Sequence, residues 1–241
     1  MLNIENLSKS YGNLGVLNGI DLAFERGEIR SFLGPNGAGK TTTFNIISGV
    51  EPPSGGSIHL DEENLVDLPI HVRARKGITY LPQETSLFRG LSVLDNIKVY
   101  GARIDGREDS QVSPIRSLTR LNIEKLKDRD VTKLSAGQKR KVEIARALVL
   151  SPAYLLLDEP FSDLDPRSVA GIKDILTSLK EEELIGIALS DHRAEEALSI
   201  SDYNYLLKDG IIIAEGTSEE IVESEAAKKS YFVEDDNYPG Q

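Results

Sequence analysis

A chain of 241 residues is long enough for one large α/β domain with a small inserted lobe and a full hydrophobic core. Its formal charge of −11 excludes the diffuse basic field that a nucleic-acid backbone needs, and the absence of cysteine excludes a disulfide framework, a thiolate nucleophile and cysteine metal sites. The opening Met1-Leu2-Asn3-Ile4-Glu5-Asn6-Leu7 lacks a basic, apolar leader, and no stretch approaches the ~20 apolar residues of a membrane span, so a cytosolic compartment is expected, with membrane contact only through partners.

Residues 2–33 alternate apolar and polar positions around turn signals at Tyr11-Gly12-Asn13, Asn18-Gly19 and Arg26-Gly27, which predicts short antiparallel strands. They lead into Gly34-Pro35-Asn36-Gly37-Ala38-Gly39-Lys40-Thr41-Thr42, which fits the phosphate-binding pattern G-x-x-x-x-G-K-[ST] without a gap. Residues 28–33 read as the strand before this loop, and residues 42–48 as a helix after it, closed by Gly49. In that setting the glycines turn backbone N–H groups onto phosphate oxygens, and the helix N-terminus adds partial positive charge. Lys40 is expected to reach the β- and γ-phosphates of a nucleotide, and the Thr41 hydroxyl to ligate Mg²⁺.

The loop over residues 51–56 precedes a short strand at 57–60, and residues 77–83 read as a strand stopped at Pro82 and ending at Gln83. From Leu91 to residue 131 charged residues recur at helical spacing, with breaks at Gly101, Gly106 and Pro114, as in a helical insertion. Residues 138–150 form an amphipathic helix ended by Ser151-Pro152, whose basic cluster is expected on a solvated face or with its first turn toward phosphate. The apolar runs at 154–157 and 184–189 read as buried parallel strands leading to Asp158-Glu159 and Ser190-Asp191-His192. Strands alternating with helices imply a mostly parallel sheet covered on both faces, with ligands at the strand carboxyl ends, where Gln83, Asp158, Glu159 and His192 fall. The tail from Glu219 reads as a helix and then an acidic end.

Two carboxylates at one strand tip suit two tasks, Asp158 holding Mg²⁺ through water and Glu159 polarising the water that attacks the γ-phosphorus. With the phosphate loop upstream they form a Walker B element. Leu134-Ser135-Ala136-Gly137-Gln138 then resembles the signature of ATP-binding cassette (ABC) ATPases, commonly Leu-Ser-Gly-Gly-Gln. The resemblance covers about residues 2–222 and implies further roles. Tyr11 would stack on adenine, Gln83 would be the Q-loop residue and a Mg²⁺ ligand, Ser162-Asp163-Leu164-Asp165 the D-loop, and His192 the switch histidine.

It also implies a homodimer, in which Ser135, Gly137 and a helix N-terminus at Gln138 complete the γ-phosphate cage of the opposite subunit. The implied fold is a P-loop ABC ATPase over 1–241: a RecA-like core with an antiparallel β-subdomain (1–90 and 138–222), a helical subdomain (91–137) and a tail (223–241). Ala136 replaces the first signature glycine, and its methyl is costly if that position needs φ > 0 or close backbone approach.

The closer resemblance is to the ATPase of lipopolysaccharide export systems. It rests on GPNGAGKTTTFNIISG from Gly34, LPQETSLFRGLSVLDN from Leu81, KVEIARAL from Lys141, DEPF from Asp158, DPRSVAGIK from Asp165 and the aromatic-then-acidic Tyr231-Phe232-Val233-Glu234-Asp235-Asp236. It implies a cassette on the cytoplasmic face of the inner membrane, bound to two membrane-spanning subunits near Phe88 and Arg89, with Gly90 where a second arginine is usual. Branched-chain amino acid importers share much of the pattern, and soluble ABC ATPases of iron–sulfur cluster assembly share the ATP motifs.

Overall fold

The computed structural model describes residues 1–102 and 113–229, so Gly106 and the tail segment from Tyr231 lie outside the described residues. The chain begins with β1 (Leu2–Tyr11), β2 (Leu14–Phe24), β3 (Ile29–Leu33), α1 (Lys40–Ser48), β4 (Gly55–Leu60), β5 (Glu63–Asn64), α2 (Ile70–Arg75) and β6 (Ile78–Leu81). There follow α3 (Val93–Ala102), α4 (Pro114–Arg120), two 3₁₀ turns (Glu124–Leu126 and Val131–Lys133) and α5 (Ala136–Leu148). The last part holds β7 (Tyr154–Asp158), α6 (Pro166–Glu183), β8 (Gly186–Ser190), α7 (Ala194–Leu198), β9 (Tyr203–Lys208), β10 (Ile211–Gly216), α8 (Ser218–Glu223) and α9 (Glu225–Ala227).

These strands make two sheets. The first, in the order β2-β1-β4-β5, is antiparallel. The second runs β10-β9-β3-β8-β7-β6 and is parallel from β9 to β6, with β10 antiparallel at its edge. The antiparallel reading of residues 2–33 therefore holds for β1 and β2 and stops there, because β3 pairs in parallel with β8 and β9. β1 and β2, at 10 and 11 residues, are also longer than the short strands expected.

The period of two along buried strands divides the interior into two cores. Leu155 and Leu157 of β7 point to one side with Ile187 and Leu189 of β8, where α5, α6 and the inserted helices pack. Tyr154 and Leu156 point to the other, with Phe32 of β3 and Phe44 of α1, against the antiparallel sheet. Phe32 lies 5.2 Å from Phe44, 5.4 Å from Tyr205 and 5.8 Å from Phe24, centroid to centroid. Truncating such a fully buried ring to alanine costs roughly 3–5 kcal/mol.

Local rules set the element ends. Gly49 closes α1 with φ 83°, as its position after the helix requires. Pro114 opens α4, and Gly101 is the penultimate residue of α3, which ends at Ala102. α5 begins two residues before the expected start and ends two before the expected end. It crosses positions 137 and 138 without a break, so the signature and the amphipathic helix are one rigid element.

Candidate functional site

β3 delivers the chain to the phosphate loop, whose shape excludes side chains at two glycines. A Cβ on Gly34 (φ +148°) would meet the Leu207 carbonyl at 2.2 Å, and one on Gly39 (φ +108°) would meet Leu17 Cδ2 at 2.6 Å. α1 starts directly after Gly39, with no side-chain cap and no acidic residue in its first turn, so its leading N–H groups remain open to an anion. Lys40 is buried and folds back over the loop, donating to the carbonyls of Gly34 (2.6 Å) and Pro35 (3.0 Å). Burial lowers its pKa, opposed by the charges of Glu159, Asp158 and Asp191. Asn36, Gly37 and Ala38 complete the loop, with Thr41 exposed and Thr42 half-buried on the first turn of α1.

At the end of β7, Asp158 stands in register with Ser190 of β8. Its carboxylate accepts from the Ser190 hydroxyl and, at 3.3 Å, from the Tyr80 hydroxyl. Glu159 follows in the left-handed region (φ 44°), and its N–H donates to the Ser190 carbonyl at 2.9 Å. One oxygen of Glu159 then gathers three groups. Gln83 Nε2 donates to it at 2.8 Å, Ser162 Oγ donates at 2.7 Å, and His192 Nδ1 lies 3.3 Å away. Asp191 beneath is wholly buried, accepts from the N–H groups of Arg193 and Phe161, and has its pKa raised by that burial.

The signature segment is organised by a capping box. Gln138 N–H donates to Ser135 Oγ (3.2 Å) while the Gln138 side chain accepts from Ser135 N–H (3.1 Å). Gln138 is thus the third residue of α5, not its first. Ala136 opens the helix without a left-handed φ, so its methyl causes no backbone strain within the chain. Gly137 is buried against α6, where a Cβ would sit 2.4 Å from Ser168 Oγ. Among the described residues no hydrogen bond joins Ser135, Gly137 or Gln138 to residues 34–42 of the same chain.

Within the basic cluster at residues 139–141, Arg140 departs from the solvated face expected for it. Arg140 is buried and donates to the carbonyls of Asp158 (3.0 Å), Glu159 (3.0 Å), Pro160 (3.3 Å) and Pro82 (3.2 Å). It also pairs with Glu143 at 3.2 Å, which accepts from Thr85 and from Ser86 N–H. The carboxylate turn, the loop after Gln83 and α5 are fastened together by this pair. Sequence reasoning also missed Tyr80 and Ser190. Ser190 carries a detectable signal, a polar residue level with Asp158 on a strand otherwise apolar.

Tyr11 ends β1, half exposed, with its hydroxyl donating to the Glu51 carboxylate. Phe88 is 42% exposed, and its backbone N–H and C=O are both held by the Asn96 side chain. Arg89 lines a cavity of about 590 Å³ together with Gln83, Arg140, Glu159 and Leu164. Among the described residues no group of three or more His, Cys, Asp or Glu gathers as a metal cage. The oxygen donors of Asp158, Thr41 and Gln83 are of the hard type that suits Mg²⁺ in company with phosphate.

Residues 17–162 match the family model described as ABC transporter. The chain is 43% identical over 236 residues to the lipopolysaccharide export system ATP-binding protein LptB of Escherichia coli (strain K12), covering 97% of this chain and 98% of that protein. It is 41% identical to LptB of Haemophilus influenzae, covering 97% and 98%. Among solved structures it matches the ADP conformation of MJ1267, an ATP-binding cassette of an ABC transporter, with TM-score 0.86 and 26% identity over 96% of this chain and 98% of that one. The dimeric cassette MJ0796 matches with TM-score 0.80 and 28% identity, over 90% and 99%.

Proposed function

Because this chain belongs to the ATP-binding subunits of ABC transporters, in which ATP hydrolysis is coupled to transport, we propose that it powers the extraction and export of lipopolysaccharide from the inner membrane. The observation that carries the catalytic reading is the convergence of Gln83, Ser162 and His192 on the one Glu159 oxygen. Glu159 is the general base. It takes a proton from a water whose oxygen bonds to the γ-phosphorus while the bond to the bridging β–γ oxygen breaks, leaving ADP and phosphate. Gln83 and Ser162 orient the base, and His192 lies beside it to contact the transferred phosphoryl oxygens. Lys40 exchanges two backbone carbonyls for the β- and γ-phosphate oxygens.

Residues 34–42 cradle the phosphates and Tyr11 stacks on the base. Thr41 and Gln83, with Asp158 through water, would hold Mg²⁺, which would neutralise phosphate charge. The cage is closed by a second copy of this chain, whose Ser135, Gly137 and Gln138 approach the γ-phosphate. The absence of any bond from these residues to their own phosphate loop supports that arrangement. The whole of 1–241 is one ABC ATPase domain, with core 1–90 and 138–222, helical lobe 91–137 and tail 223–241.

No helix among the described residues is long and apolar enough to cross a membrane. Attachment to the cytoplasmic face therefore falls to two membrane-spanning subunits docking near Phe88 and Arg89. The test is to isolate the tagged chain from detergent-solubilised native membranes and identify what accompanies it. Subunits of a lipopolysaccharide exporter are expected. Amino-acid permease subunits, or soluble proteins alone, would leave the ATPase assignment and overturn the cargo.

A further inference from the structure

Tyr11 is 47% exposed, and an exposed tyrosine at a strand end ordinarily samples several side-chain directions. Here two contacts hold it. Its hydroxyl donates to the Glu51 carboxylate. The Lys9 ammonium lies 4.9 Å from the ring centroid. Lys9 is itself buried, tied to Glu51 at 3.5 Å and donating to the Pro52 carbonyl at 2.7 Å. Glu51 is anchored in turn, since its backbone N–H donates to the Asn45 carbonyl of α1 at 3.2 Å. The ring is therefore fixed to the helix that follows the phosphate loop.

We propose that Lys9 and Glu51 are positioning residues for the nucleotide base, a clamp that holds the Tyr11 ring as a preoriented stacking platform. The inference rests on the reading of Tyr11 as the base-stacking residue. A cation over one ring face leaves the opposite face to the base, and stacking costs less when the ring has no rotational freedom left to lose. Glu51 also holds the Tyr11 hydroxyl above the usual phenol pKa, so the ring stays a neutral donor to that carboxylate. Its proton is then committed to Glu51, and the flat face of the ring is what it offers a base.

Calorimetric titration of the purified chain with ADP, and with inorganic pyrophosphate as a probe lacking the base, tests this. Tyr11→Ala is expected to weaken ADP about tenfold or more, and Glu51→Ala and Lys9→Met about three- to fivefold, with pyrophosphate affinity constant throughout. Tyr11→Phe should weaken ADP no more than Glu51→Ala, which also releases Lys9, and the double variant should be no worse than Glu51→Ala alone. In steady-state ATP hydrolysis the Glu51→Ala change should fall on KM and not on kcat. Unchanged ADP affinity in Glu51→Ala, with Tyr11→Ala weakened, overturns the clamp and keeps the stacking residue. Unchanged affinity in Tyr11→Ala overturns both. A parallel loss of pyrophosphate binding marks damage to the phosphate loop and also overturns the clamp.

Discussion

Glu159 shows how a residue acquires its task from its neighbours. Its left-handed backbone turns the carboxylate away from β7 to meet Gln83, Ser162 and His192. Glu159→Gln keeps the size and one acceptor oxygen for Gln83 and Ser162 but cannot take a proton from water. Hydrolysis should fall at least ~100-fold with ATP binding retained, which single-turnover assays and ATP titration separate. Normal turnover would show that the base lies elsewhere. Lys40→Ala acts on binding, because a phosphate charge loses a buried donor, and ATP affinity should drop about ten- to hundredfold. An unchanged dissociation constant would mean that the loop holds its ligand without the lysine. Lys40, Asp158 and Glu159 were legible in the sequence because a short motif carries each of them. Tyr80 was not, since its contact with Asp158 exists through the pairing of β6 with β7, which local spacing does not encode, and Ser190 showed only as a polar end to an apolar strand, its partner being set by register.

At the scale of elements, α5 joins the signature to the carboxylate turn. The buried Arg140 contacts four carbonyls, of Asp158, Glu159, Pro160 and Pro82, and Glu143 holds the loop after Pro82 again at Thr85 and Ser86. Arg140→Met leaves Glu143 buried without its partner, and should lower unfolding free energy by about 3–5 kcal/mol in denaturant titration. Adding Glu143→Leu should restore part of that loss. If the double variant is the less stable, the carbonyl contacts and not the charge pair carry the effect. The amphipathic pattern located this helix to within two residues at each end, and it misassigned Arg140 because periodicity weighs a long basic side chain as solvent-facing. α2 was not read at all, although its Arg73 donates to the Ile46 and Ile47 carbonyls at the end of α1. Six residues give too little periodicity to detect.

The whole chain carries a formal charge of −11, so two copies repel each other before any contact forms. In the proposed dimer, bound ATP overcomes that repulsion through a γ-phosphate cage shared between subunits. In size-exclusion chromatography the Glu159→Gln variant should elute as a dimer with ATP and as a monomer with ADP. The ATP-bound dimer fraction should rise between low salt and physiological salt, as net repulsion is screened. A dimer that falls apart as salt increases would instead be held by local ion pairs. The α/β class and mostly parallel sheet were readable from the alternation of apolar runs with helices. The hairpin of β9 and β10 was not read, although it is signalled locally by Asp209-Gly210, a two-residue turn with both residues at positive φ between two apolar runs.

The ends of α1 are treated unequally. Gly49 and the buried Arg73 guanidinium satisfy its final carbonyls, while its first turn has neither a side-chain cap nor an acidic residue. The phosphates of a nucleotide are then the cap that the sequence omits, and binding completes a structural element as well as filling a site. The cell's energy charge would thereby set how often this helix frays and how long each copy of the protein survives proteases.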